Sequence, residues 1–186
     1  MTAILQTCFW HIAGLAGHGL TPRATLEIPG GVRRLDRIID LIRECRYSFH
    51  DLSRVELDTI APATPRFNMP FELGLAVACD RLTPNRHTWF VMESESRRLL
   101  KSLSDLAGTD PYVHDGSPDG VFREIGNALV RIARQPAVQD LHIIYEKLRD
   151  AVPEIIDRTG AKSVFEARAF RQLVVEASVL ADKRML

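Results

Sequence analysis

Short apolar runs alternate with segments of helical spacing along the first two thirds of the chain. The helical segments repeat apolar residues every three or four positions, and the runs between them are rich in aromatic and β-branched residues. The predicted helices cover residues 3–18, 32–45, 69–79, 96–105 and 118–134. The predicted strands cover residues 23–28, 47–52, 88–92 and 110–114. This alternation indicates an α/β domain in which helices cover both faces of a parallel sheet.

The pattern changes near residue 135. Two further helices, over residues 137–151 and 163–184, follow without another strand. We therefore expect an α/β domain at residues 1–134 and a C-terminal helical extension at residues 135–186. No glycine-rich phosphate-binding motif occurs in either part.

One carboxylate interrupts the most apolar of the predicted helices. Every residue from 69 to 79 is apolar or glycine except Glu72, so the pattern predicts a helix that is buried nearly all round. Asn68 is a good N-cap and Pro70 suits the first turn, so Glu72 falls where the helix dipole favours an ionised acid. Such a carboxylate is a candidate nucleophile or cation stabiliser, and the alternative is a capping interaction with backbone amides.

The net charge, the hydropathy and the cysteine spacing limit the kinds of ligand, surface and compartment that we expect for this protein. Lys and Arg together number 24, as do Asp and Glu, so the net charge of zero favours neither nucleic acid nor an anionic membrane surface. No apolar run approaches the ~20 residues of a membrane span. The three cysteines lie in separate apolar contexts without CxxC spacing, which predicts reduced core thiols rather than metal ligands. The start lacks the basic segment of a secretory signal, and we expect a cytoplasmic protein.

Polar residues follow the predicted strands, at the sheet edge where doubly wound folds bind ligands. Asp51, Ser53 and Glu72 are the most informative, since this topology places all three in one crevice. Further candidates near the same edge are Arg54, Arg66, Asn68, Glu93 and His114. Each has a structural alternative: an Asx or Ser turn for the aspartate and serine, surface ion pairs for the arginines, and a buried structural role for the histidine.

Three motifs in this region resemble an uncharacterised bacterial protein family. They are CRYSFHDLSRVEL at residues 45–57, PRFNMPFELG at residues 65–74, and SDLAGTD at residues 104–110, followed by His114. Within them, an Asp-x-Ser strand end at Asp51 and a helical Glu-x-Gly at Glu72 resemble the pattern of the TIR-like and nucleoside 2-deoxyribosyltransferase-like group. The resemblance covers about residues 3–134.

The resemblance implies a three-layer flavodoxin-like (TIR-like) parallel sheet and chemistry at an N-glycosidic bond. The substrate would be a nucleoside or NAD. The reaction would need no metal and no cofactor, since NAD would enter only as a substrate. The protein would act in bacterial defence or signalling. Glu72 would attack or stabilise the anomeric carbon, and Asp51 would position the sugar or orient Glu72, as in retaining glycosidases. The substrate contacts implied are Ser53, Arg54, Arg66, Asn68 and His114. The alternative is a non-catalytic nucleotide-sensing or protein-interaction module, and a homo-oligomer is among the expected assemblies.

Members of this group begin with a strand that precedes the first helix, whereas this chain starts on the helix. That strand is central in the flavodoxin-like order 2-1-3-4-5. Unpaired buried backbone groups cost about 1–3 kcal/mol each. We therefore expect residues 23–28 to pair directly with residues 47–52, or a strand from another chain to lie between them.

Overall fold

The computed structural model describes residues 3–27, 33–55, 57, 61–131 and 134–185. Its α-helices are α1 (Ala3–Gly17), α2 (Arg34–Glu44), α3 (Asn68–Leu82), α4 (Arg98–Ser102), α5 (Pro118–Ala128), α6 (Val138–Asp150), α7 (Val152–Thr159) and α8 (Ala167–Met185). Its strands are β1 (Tyr47–Asp51), β2 (Thr88–Glu93) and β3 (Tyr112–Val113), and its short 3₁₀-helices are Thr25–Glu27 and Ser104–Leu106. The fold is therefore α/β, as the alternation of apolar runs and helical segments predicts.

The described strands form one parallel sheet in the order β1-β2-β3. Phe49 pairs with Phe90 and Asp51 with Met92, so these side chains point to one face of the sheet. The side chains of His50 and of Glu93, the last residue of β2, point to the other face. Because the strands are parallel, their carboxyl ends meet at one edge, and the polar residues that follow β1 and β3 flank the end of β2.

By its internal contacts the chain divides into two units. The sheet unit comprises Leu35–Gly116, and α3 packs on β1 and β2 within it. Its main core joins the sheet to α3 and α4 through Leu52, Leu73, Val91 and Leu99. A smaller cluster of Ile38, Ile42 and Ala76 joins α2 to α3. The helical spacing of α2 predicts Leu35, Ile38, Ile39 and Ile42 on its buried side. Ile38 and Ile42 are buried and Ile39 is half-buried, whereas Leu35 is exposed, so the prediction is wrong for Leu35.

The helical unit comprises the residues up to Arg34 and from Ser117 onward. Its core surrounds α1, which packs on α5, α6 and α8. The helical spacing of α1 predicts an apolar stripe of Leu5, Phe9, Ile12, Ala13 and Ala16. The last four are buried, and the side chain of Leu5 lies outside the described part of the chain. A Cβ atom on Gly17 would lie 2.0 Å from a methyl carbon of Leu141, so glycine permits the close approach of α1 and α6. The expected boundary at residue 134 falls inside this unit, because α1 and α5 share a core with the C-terminal helices.

The prediction of a strand at residues 23–28 is wrong over the described residues. Residues Thr25–Glu27 form a 3₁₀-helix in the helical unit, and Ile28 lies outside the described chain. The Glu27 carboxylate accepts from Arg23 Nε at 2.7 Å and from the Ala24 amide at 3.2 Å. These local hydrogen bonds compete with a strand ladder. The expected pairing with residues 47–52 is therefore also wrong, and β2 is the partner of β1 in the described sheet.

The helix that carries Glu72 differs from its prediction in two respects. Residues Leu73 and Ala76 are its buried positions, whereas Phe71 and Gly74 are exposed, so α3 is buried on one face rather than all round. The helix begins at Asn68, and Phe67 occupies the cap position without a side-chain hydrogen bond. The predicted Asn68 cap is therefore wrong, and no acidic residue lies in the first turn.

A further helix, α7, lies in the stretch between the two C-terminal helices predicted at residues 137–151 and 163–184. Pro153 occupies its first turn, where a missing amide proton costs no hydrogen bond. Gly160 ends α7 in the left-handed conformation, with φ at 63°. None of the described helices has both the length and the apolar character that crossing a bilayer requires.

Candidate functional site

Asp51, Ser53 and His114 come together at the carboxyl edge of the sheet. Asp51 ends β1 and His114 directly follows β3, so the two residues flank the end of β2. The Ser53 hydroxyl donates to Asp51 Oδ1 and lies 2.9 Å from His114 Nε2. That ring nitrogen is 3.5 Å from the same carboxylate oxygen. The structure thus brings together three of the seven predicted site residues, and we call them the edge cluster.

The direction of these hydrogen bonds follows from one backbone amide. The amide of Gly116 donates to His114 Nδ1 at 3.0 Å, so in the neutral ring the proton is on Nε2. Nε2 therefore donates to Ser53, whose hydroxyl in turn donates to Asp51. In a serine nucleophile the imidazole must instead accept the hydroxyl proton. The geometry favours a binding or positioning role for Ser53 over a nucleophilic one.

Asp51 also has the structural role that its position at a strand end predicts. Its Oδ1 accepts from the backbone amide of Ser53 at 2.9 Å, which is an Asx turn. The backbone of the buried His114 is fixed in place, since its amide donates to the Glu93 carbonyl at 2.9 Å. The cluster is therefore preorganised by backbone hydrogen bonds, and its side chains are aligned before any ligand binds.

A buried ion pair lies beside this edge. The Glu93 side chain, at the end of β2, is 1% exposed and accepts from Arg98 Nε at 3.0 Å and from Arg98 Nη2. The same Nη2 donates to the Leu52 carbonyl at 3.2 Å. Glu93 also accepts from the amide of Ser94 at 2.8 Å. This bidentate pair ties the ends of β1 and β2 to the start of α4.

Sequence reasoning named Glu93 but missed Arg98. A signal was present, because a carboxylate that ends an apolar strand requires a cation or several donors. Arg97 and Arg98 follow in sequence, however, and only the left-handed turn at Arg97, with φ at 67°, decides which guanidinium points inward. That turn has no sequence signal here, since arginine rarely adopts a positive φ.

The remaining predicted residues lie on the loop and on α3. Arg54, Arg66 and Asn68 are exposed, and the described hydrogen bonds of the edge cluster do not include them. Glu72 is half-buried one turn before Ala76, on the flank of α3 that packs against α2. Convergence of Glu72 with Asp51 on one pocket therefore stays a prediction.

A second histidine network lies within the sheet unit. His87 Nδ1 donates to the Cys45 carbonyl at 2.8 Å, so its Nε2 accepts from the Ser48 hydroxyl at 2.9 Å. The Ser48 oxygen then accepts from His50 Nε2, also at 2.9 Å. His50 Nδ1 is buried and has no hydrogen-bond partner. Burial, and secondly the nearby His87, lowers the pKa of His50 from 6.5 to about 4.

We expect His50 to make the protein sensitive to mild acid. The unfolded chain binds a proton at His50 near pH 6.5, whereas the folded chain binds it only near pH 4. The free energy of unfolding should therefore decrease by about 3 kcal/mol from this residue between those pH values. His50→Gln keeps a side-chain donor for Ser48 and cannot titrate, so its stability should fall less over this window. Urea unfolding at pH 7.5 and pH 4.5 measures the difference, followed by Trp89 fluorescence in a Trp10→Phe background that removes the second tryptophan. Equal losses in both proteins would contradict it.

The described residues contain no group of three or more His, Cys, Asp or Glu side chains that could hold a metal ion. Comparison with protein-family models, curated proteins and solved structures finds no match to the chain. The geometry of the edge cluster and the motifs in the sequence are the features that bear on function.

Proposed function

We propose that the sheet unit is a TIR-like or deoxyribosyltransferase-like domain that acts on the N-glycosidic bond of a nucleoside or of NAD, by hydrolysis or transfer. The observation that supports this most is the edge cluster. Asp51, Ser53 and His114 meet at the carboxyl edge of a parallel sheet, which is where open α/β sheets bind their ligands. The Asp-x-Ser half of the sequence pattern lies at this edge, and in the proposed site the Glu72 carboxylate of the Glu-x-Gly half lies opposite it.

The proposed chemistry divides the work between the cluster and Glu72. A carboxylate, a hydroxyl and a neutral imidazole provide acceptors and donors that suit the hydroxyls of a ribose. Departure of the base leaves positive charge on the sugar ring, and the Glu72 carboxylate would stabilise that charge or attack the anomeric carbon. Asp51 would hold the sugar, while Arg66 and Asn68 would contact its hydroxyls or a phosphate.

A non-catalytic nucleotide-sensing or protein-interaction module is the second candidate. One observation favours it: the Ser53 hydroxyl both accepts from His114 and donates to Asp51, so the cluster satisfies its own hydrogen bonds. Such a site binds a polar ligand by replacing hydrogen bonds between its own side chains with hydrogen bonds to the ligand. It supplies no activated nucleophile of its own.

Incubation of the full chain with NAD and with purine and pyrimidine deoxynucleosides tests the proposal. Release of free base, followed by chromatography, is the result expected of an N-glycosidase. Thermal shift with the same compounds measures binding separately. Saturable binding without base release would overturn the catalytic proposal in favour of the sensing module, and neither binding nor release would overturn both.

A further inference from the structure

A cavity of about 350 Å³ lies at the opposite edge of the sheet from the edge cluster. It is lined by Arg43, Cys79, Thr83, Arg86 and His87. His87 immediately precedes β2, whereas Glu93 ends the same strand, and a strand of this length spans about 17 Å. The cavity is therefore separate from the proposed glycosidic site, and we call it the amino-edge cavity.

Two guanidinium groups give this cavity a positive charge. Arg43 lies in the last turn of α2, and Arg86 lies in the loop between α3 and β2. Within the described part of the chain, neither arginine forms an ion pair with a carboxylate. The acids next to the lining residues have other partners, since Glu44 pairs with Arg37 and Asp80 accepts from Trp89.

The other walls of the cavity are held in place by backbone hydrogen bonds. His87 is 3% exposed and donates to the Cys45 carbonyl at 2.8 Å. The Thr83 hydroxyl donates to the Cys79 carbonyl at 2.7 Å. The His87 Nδ1 proton and the Thr83 hydroxyl proton are therefore already used in hydrogen bonds within the protein. The two arginines are the lining residues whose N–H groups can donate to a ligand.

We propose that the amino-edge cavity binds an oxyanion of the phosphate class, as the phosphoryl or pyrophosphoryl group of a small ligand. Guanidinium groups match the oxygens of phosphate in geometry and in charge, and two of them suit a group that carries two negative charges. The volume lies within the range of small-molecule sites and exceeds that of a single phosphate. The cavity therefore has room for part of the molecule that carries the phosphate.

Calorimetric titration with pyrophosphate at constant ionic strength tests this site. Wild-type protein is expected to bind pyrophosphate saturably, and Arg43→Met or Arg86→Met should weaken binding at least about tenfold each. Arg81→Met is the matched control, because Arg81 is an exposed arginine in the last turn of α3 that does not line the cavity. An equal loss in all three variants, or the absence of saturable binding, would overturn the proposal.

Cys79 provides a second readout that needs no arginine variant. Its thiol lines the cavity, so bound pyrophosphate should slow its reaction with iodoacetate, as followed by peptide mass spectrometry. Cys8 is the internal reference, because burial raises the pKa of its thiol to about 11 and makes it unreactive. Unchanged alkylation of Cys79 under saturating pyrophosphate would also overturn the site. Glu72→Gln should leave pyrophosphate binding unchanged, which separates this result from that of the proposed glycosidase.

Discussion

Replacing Glu72 by glutamine is expected to reduce the release of base from NAD or a nucleoside by at least about 10³-fold. The substitution keeps the size and hydrogen-bonding shape of the side chain but removes its negative charge. If the carboxylate stabilises the cationic sugar, the charge matters in the transition state much more than in the bound substrate. We therefore expect a large decrease in kcat and little change in substrate affinity, measured by initial rates and by thermal shift.

Glu95→Gln is the matched control for this variant. Glu95 also lies in the sheet unit, just beyond β2, and its side chain is 64% exposed. Its replacement removes one negative charge without changing α3, so turnover should stay near that of wild type. Equal turnover by wild type and Glu72→Gln would exclude Glu72 as the catalytic carboxylate. A loss of turnover in Glu95→Gln of similar size would assign the effect to net charge.

Replacing Arg98 by methionine is expected to lower the free energy of unfolding of the sheet unit by about 3–5 kcal/mol. The variant leaves the Glu93 carboxylate buried without its cation, and it removes the donor to the Leu52 carbonyl. Urea unfolding followed by Trp89 fluorescence measures this loss. A Trp10→Phe background removes the second tryptophan, which lies in the helical unit, so that the signal reports the sheet unit alone.

The same Glu95→Gln variant serves as the control for Arg98. Glu95 approaches Arg98 Nη1 at 3.6 Å from an exposed position, and such a pair contributes less than about 1 kcal/mol. Glu93→Gln in the Arg98→Met protein removes the uncompensated charge and should restore part of the stability. Arg98→Met that unfolds at the same urea concentration as Glu95→Gln would show that the buried pair does not stabilise the sheet edge.

Helical and strand spacing correctly predicted the elements that bury one face against a core and expose the other. The stripe of α1 and the positions Ile38 and Ile42 of α2 are buried as predicted, because each helix packs one side against a core. The prediction that the helix over residues 69–79 is buried all round was wrong for the opposite reason. It is apolar on every side, so its composition predicted full burial, whereas the core of the sheet unit covers only one face of α3.

The strand predicted at residues 23–28 failed for a local reason. The apolar and β-branched residues there favour a strand, but Glu27 reaches back to Arg23 and to the Ala24 amide. The Glu27 amide also donates to the Ala24 carbonyl at 3.1 Å, and this backbone hydrogen bond closes the 3₁₀ turn. Strand propensity depends on the availability of a neighbouring strand, and in the described sheet β1 pairs with β2 instead.

Spacing along the chain is enough to predict the α/β alternation, the helices α1 and α2, the strands β1 and β2, and the position of Asp51 and Ser53 at a strand end. Spacing contains this information because burial within one element repeats at the period of that element. Which distant groups meet depends on the tertiary structure. Ser53 and His114 are 61 residues apart yet joined by a hydrogen bond, and a single left-handed turn brings Arg98 onto Glu93. Such contacts depend on how strands and turns are placed in space, which the period of one segment does not specify.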